Sequence, residues 1–174
     1  LSRVLPYVDF FVPSIEELCF MLDRPRYQQW LQRAGENEIT RILDPEADIA
    51  PLAEDCIALG AKAVLLKCGA PGMFLRTADE AALASVGDRA AIDPAAWASQ
   101  RFFQRSYRPA KILSGTGAGD TSIAAFLLAM LQGNTPLECV QLAAATGACC
   151  VEAYDALSGL KPLSELRERI AQGW

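Results

Sequence analysis

Ala63-Val64-Leu65-Leu66 is apolar without interruption, the pattern of a strand covered on both faces rather than one with a wet side. Such a strand requires helices packed over it, and the chain supplies them. Ile49 to Leu59 reads as a helix up to Gly60, a natural C-cap. Tyr7 to Val12 (YVDFFV), ended by Pro13, reads as a second buried strand. Ser14 with Glu17 three residues on forms a capping-box pattern, and Leu18 and Leu22 follow at helical spacing. A helical stretch over Tyr27–Arg33 ends near Gly35, and Arg41–Leu43 reads as a short strand. Gly69-Ala70-Pro71-Gly72 is a turn into a strand over Met73–Arg76, giving a hairpin. Within 79–110, where Ala, charge and Pro mix, Phe102–Tyr107 reads as a strand. Three helices are predicted beyond it: Thr121–Leu131, a second opened by Thr135-Pro136 and running to about Val151, and an amphipathic one over Leu163–Ala171. Apolar strands alternating with helices predict a layered α/β fold with a largely parallel sheet, as one domain over residues 1–174.

With 52% hydrophobic residues, 174 residues can bury one sizeable core. The net charge of −5 and the lack of any basic run exclude a phosphate-backbone grip, so no nucleic acid is expected as a partner. No apolar stretch is long enough for a membrane span, and no secretory pattern is present. Six cysteines (Cys19, Cys56, Cys68, Cys139, Cys149, Cys150) lie in apolar stretches without C-x-x-C spacing. That fits reduced, buried thiols and a cytoplasmic location. Histidine is absent, which removes Ser-His-Asp and Cys-His catalysis and leaves proton transfer to a carboxylate, Lys, Tyr or Cys. The sequence opens on Leu1 and enters a strand-like segment almost at once, which fits a piece of a longer chain.

The chemistry-bearing stretch is Gly115-Thr116-Gly117-Ala118-Gly119-Asp120, where coil meets an apolar helix. Small residues let consecutive backbone N–H groups approach an anion, and the helix N-terminus adds about half a positive charge. A carboxylate is a poor phosphate ligand but a sensible base for a hydroxyl attacking phosphorus, the role this spacing offers Asp120. The alternative is a tight turn in which Asp120 caps the helix. A P-loop is excluded, because no Lys follows the last glycine.

Ser114 to Leu128 (SGTGAGDTSIAAFLL) resembles the C-terminal signature of the ribokinase-like (pfkB) carbohydrate kinases, D-T-T-G-A-G-D followed by an apolar helix. The resemblance implies a ribokinase-like three-layer sandwich whose N-terminal part and lid are missing here. It implies an anion hole at Gly117, Ala118 and Gly119, with Thr116 beside it, and Asp120 as catalytic base. Val12-Pro13-Ser14-Ile15-Glu16-Glu17 looks like the family's P-N-x-x-E element, which helps hold magnesium and the triphosphate; Glu17 matches and Ser14 replaces the Asn. Ala63 to Gly72 is similar to the strand and T-x-G-x-x-G turn along the nucleotide, with Gly69 and Gly72 matching and Lys67 where Thr is common. Ala143 to Ser158, including Gly147, is similar to the helix and loop flanking the adenine. Ser114 stands where family members often carry an Asp of a monovalent-cation site, which places potassium activation in doubt.

The resemblance thus implies ATP and Mg2+ and a small-molecule alcohol as acceptor, a sugar first, and leaves room for a homodimer. The residues that choose the acceptor belong to the half without a counterpart here, so this stretch alone is expected to bind nucleotide weakly and to phosphorylate nothing. Three readings compete: a nucleoside or vitamin kinase of the same fold, a non-catalytic nucleotide-sensing or scaffolding module, and an α/β interaction domain with an accidental G-A-G-D. The second is encouraged by Ser14 and Ser114; against it, a scaffold has no need of a carboxylate beside an anion hole.

Overall fold

The unbroken apolar run at residues 63–66 is the second strand of a four-stranded sheet. The computed structural model describes all of Leu1–Trp174. Its strands are β1 (Phe10–Phe11), β2 (Ala63–Lys67), β3 (Gly72–Thr77) and β4 (Arg101–Arg105), in the order β1-β2-β3-β4. β1 runs parallel to β2, pairing Phe10 with Ala63 and Phe11 with Val64; β2 and β3 form the antiparallel hairpin, pairing Leu65 with Leu75. The sheet expected to be largely parallel is therefore mixed across these pairs, because four residues of turn leave no length for a crossover.

The chain divides into two compact units, Leu1–Gly87 with Trp97–Phe103, and Asp88–Ala96 with Gln104–Trp174. In the first, α1 (Ile15–Leu22), α2 (Arg24–Ala34) and α3 (Ala50–Ala58) build the core with one face of the hairpin; α4 (Glu80–Ala84) is a short helix. Ile15, Leu18, Trp30, Leu52, Val64, Leu66 and Phe74 are all buried there. Leu65 and Leu75, alternating with them, are 2% and 0% exposed, so both faces of the hairpin are covered, as continuous apolarity required. The Ser14 capping box forms: its hydroxyl accepts from the Glu17 amide at 3.2 Å, and Glu17 accepts from the Ser14 amide at 3.1 Å.

Two expected strands in this unit differ. Pro6 fixes its own φ and lacks a donor, so Leu5–Tyr7 close a 3-10 turn and the strand expected over 7–12 shrinks to Phe10–Phe11. Ile39–Ile42 is likewise a 3-10 turn rather than a strand over 41–43. The Arg41 amide donates to the Glu38 carbonyl and its guanidinium pairs with Glu38 at 2.8 Å, contacts that only a turn allows.

In the second unit, α6 (Ala118–Leu131) and α7 (Pro136–Cys150) form a helical hairpin and α8 (Leu163–Ala171) packs on α7; α5 (Pro94–Trp97) is one short turn. Thr135 and Glu138 form a second capping box at the start of α7. The strand expected over 102–107 stops at Arg105, and Tyr107 instead stacks on Trp174, ring centroids 4.9 Å apart. All six cysteines are free and buried. Burial pushes the Cys19 thiol up to about 11 and those of Cys56, Cys68 and Cys139 up to about 12, which leaves them without nucleophilic thiolate.

Candidate active site

The glycine-rich turn is shaped by its own small residues. Ser114 accepts from the Thr116 amide at 3.1 Å, and the Ala118 amide donates to the Gly115 carbonyl at 3.3 Å. Gly117 then takes a left-handed backbone (φ 78°) and serves as the N-cap of α6 without any side-chain cap. Helical bonding starts at Thr121, whose amide and hydroxyl both reach the Gly117 carbonyl at 2.9 Å. α6 therefore begins at Ala118, three residues before the expected Thr121, and Asp120 lies inside its first turn rather than at its cap. The amides of Gly119 and Asp120 precede the first intrahelical donor and are free for an external acceptor. Asp120 is exposed. Two free amides, a positive helix end and an exposed carboxylate one turn long can bind an anion and accept a proton beside it.

The rest of the unit braces this turn from behind. Gly147 of α7 lies against the start of α6: a Cβ there would stand 2.6 Å from the Ser122 hydroxyl and 3.6 Å from the Ala118 carbonyl. The Leu113 and Ser114 amides donate to the Val151 carbonyl at 2.8 and 3.4 Å. The Cys150 sulfur is within hydrogen-bonding reach of the carbonyls of Thr116 (3.6 Å) and Ala156 (3.5 Å). A Cβ on Gly117 would overlap the Ala156 methyl and stand 3.1 Å from its Cα. Sequence reasoning missed the bracing by residues 150–158. The one local signal was the Asp155-x-x-Ser158 spacing, a side-chain-closed turn.

The remaining expected residues lie in the first unit. Ser14 bridges to Lys67 in parallel register, and the Lys67 amide donates to the Pro13 carbonyl at 3.0 Å, so the start of α1 and the end of β2 meet. Hydrogen bonding to the Ser14 side chain and amide, helped by the nearby Lys67 charge, holds the Glu17 carboxyl below its usual range. Gly69 and Gly72 close the hairpin, the Gly72 amide donating to Gly69 at 3.2 Å and the Cys68 amide to Gly72 at 2.9 Å. Thus Thr116, Gly117, Ala118, Gly119 and Asp120 share one turn with Gly147 behind it, while Glu17, Lys67, Gly69 and Gly72 form a second group.

No group of three or more His, Cys, Asp or Glu side chains could by itself hold a metal ion. The donor set still suits Mg2+, which keeps several waters and takes one or two carboxylates alongside nucleotide phosphates rather than a closed protein cage. Glu17 is exposed and charged, with one oxygen taken by the Ser14 amide. No helix is long and apolar enough to cross a membrane.

Comparison with known proteins places the chain in a family. The family model described as pfkB family carbohydrate kinase matches residues 1–162. A ribokinase of Arabidopsis thaliana is 30% identical over 131 residues, which cover 72% of this chain and 29% of the relative. The structure of Arabidopsis thaliana ribokinase complexed with ribose and ATP superposes with a TM-score of 0.65 at 23% identity, covering 97% of this chain and 42% of that one. An Escherichia coli protein assigned as ribokinase II, in complex with ATP and Mg2+, gives 0.59 at 23% identity, covering 98% and 42%. A nucleoside kinase of Methanocaldococcus jannaschii gives 0.58 at 17%, covering 98% and 42%. The chain thus spans less than half the length of each of these proteins, and its α/β fold is theirs. It belongs to the pfkB family of carbohydrate kinases.

Proposed function

We infer that the protein containing this chain transfers the γ-phosphoryl group of ATP to a hydroxyl of a small molecule, a sugar first. The observation that carries this reading is the α6 N-terminus, where the Gly119 and Asp120 amides lack internal acceptors and the exposed Asp120 carboxylate stands in the same turn. In the proposed reaction the anion hole at Gly117, Ala118 and Gly119 takes the transferring group, the unengaged Gly119 and Asp120 amides donate to its oxygens, and Thr116 flanks it. Asp120 takes the proton of the attacking hydroxyl. Because these dipoles are fixed before the reaction, they stabilise developing charge without reorganising.

Lys67, Gly69 and Gly72 run along the nucleotide in this reading, and Gly147 sets α7 against the turn. Mg2+ would be held by water and phosphate oxygens with Glu17 acting on it indirectly, and would supply neutralisation of the phosphate charge. The cytoplasm is the proposed compartment, where six free thiols stay reduced. A nucleoside acceptor is the second reading, supported by the likeness in fold to the archaeal nucleoside kinase. The non-catalytic reading loses part of its motive: Ser114, which stands in for an Asp, is engaged with the Thr116 amide and helps shape the turn.

The test is release of ADP by the full-length protein with Mg-ATP and a panel of sugars, nucleosides and vitamin alcohols. Acceptor-dependent release is expected with one class, and that class names the substrate. Measurable ATP binding with no release for any acceptor would favour the sensing or scaffolding module.

A further inference from the structure

The phosphate turn is not held by its own bonds alone, and the loop after α7 contains one carboxylate whose contacts point to a purpose. Asp155 is exposed, yet it makes three hydrogen bonds. It accepts from the Leu157 amide at 2.8 Å, the Ser158 amide at 2.7 Å and the Ser158 hydroxyl at 2.6 Å. The residue enclosed by this turn is Ala156, whose methyl and Cα lie against Gly117 so closely that no Cβ fits between them. Both ends of the loop are fixed on α7. At one end the Cys150 sulfur reaches the carbonyls of Thr116 and Ala156, and at the other a Cβ on Gly159 would overlap the Cys149 carbonyl.

We propose that Asp155 is a positioning residue for the phosphate turn: by closing the 155–158 turn it seats Ala156 against Gly117 and so fixes the backbone that carries the Gly119 and Asp120 amides. Asp155 touches neither the turn nor a reacting atom; it acts through Ala156. The Ser158 hydroxyl, followed by the Ser158 and Leu157 amides, lowers the Asp155 pKa to about 2, so the carboxylate stays charged at any working pH and the brace does not titrate there. The consequence for rate rests on the kinase reading above; the consequence for geometry does not.

The experiment compares the 15N-labelled full-length protein with Asp155→Ala and Asp155→Asn, by amide resonances and by ADP release. Asp155→Ala is expected to shift or broaden the amides of Gly117 to Thr121. It should lower kcat about tenfold or more while acceptor KM stays within about twofold, since small displacements of a preorganised site are costly. Asparagine keeps an oxygen that accepts both amides, so Asp155→Asn should restore the resonances and bring kcat to within about threefold of wild type. Melting curves identify any variant that fails to fold, and Ser158→Ala, which leaves both amide bonds in place, should leave the Gly117–Thr121 resonances where they are. The proposal is overturned if Asp155→Ala moves only the resonances of residues 155–158, or if asparagine fails to restore the turn. Should the wild type release no ADP with any acceptor, the kinase reading fails, and the resonances alone still decide the role of Asp155.

Discussion

Gly117 and Gly133 share a left-handed backbone, with φ of 78° and 75°, but not surroundings: a Cβ on Gly133 meets nothing within 4 Å, and one on Gly117 runs into Ala156. The comparison separates the backbone preference from the close approach. Gly133→Ala should cost roughly 1 to 2 kcal/mol, the penalty of a side chain in the left-handed region. Gly117→Ala should cost roughly 1 to 3 kcal/mol more, because the new methyl overpacks against Ala156. Urea unfolding of both variants checks this, and equal losses would mean that Ala156 yields freely. At Gly117 the absence of a side chain therefore serves the fold of the turn as well as any phosphate that approaches it.

Among the elements, the junction of α2 with the turn before α3 is held by one carboxylate. Asp48 accepts from Arg33 through both oxygens at 2.8 and 3.1 Å, from the Trp30 indole at 3.2 Å and from the Asp44 amide at 2.9 Å. Burial pushes its pKa up, but the hydrogen bonds from Arg33, Asp44 and Trp30 outweigh that and leave it below the usual carboxylate range. A folded pKa below the unfolded one stabilises above the unfolded value of about 3.9 and loses that contribution as pH falls through the folded value. Asp48→Asn should therefore cost about 2 kcal/mol near neutral pH. The gap from wild type should narrow at about pH 3, as urea titrations at the two pH values would show; a gap independent of pH would contradict this. Elements carrying their own start and stop signals were legible in the sequence: the Ser14 capping box, the Thr135-Pro136 opening of α7, the Gly69–Gly72 hairpin and the terminal helix at Leu163–Ala171. Those set by a single competing residue were not. Pro6 closed a 3-10 turn over Leu5–Tyr7 at the start of the expected strand, which shrank to Phe10–Phe11, and Gly117 started α6 three residues early.

For the whole molecule, the same division between local and non-local explains what could be read of the site. Residues 116–120 are contiguous, so the turn and its carboxylate were legible together. Its bracing by Gly147, Cys150 and Ala156 depends on how α7 returns past α6, which no local pattern encodes. The acceptor is illegible for another reason: the chain spans 29% of the Arabidopsis ribokinase to which it is similar. The central claim, that Asp120 is the base beside a phosphate site, does not need the acceptor's identity. It is tested most directly on the full-length protein, wild type beside Asp120→Asn, by measuring ATP affinity and acceptor-dependent ADP release together. The account predicts that release falls by about a hundredfold or more, the scale of a lost general base, with ATP affinity within about threefold of wild type. Retained release, or loss of ATP binding in step with release, would contradict it.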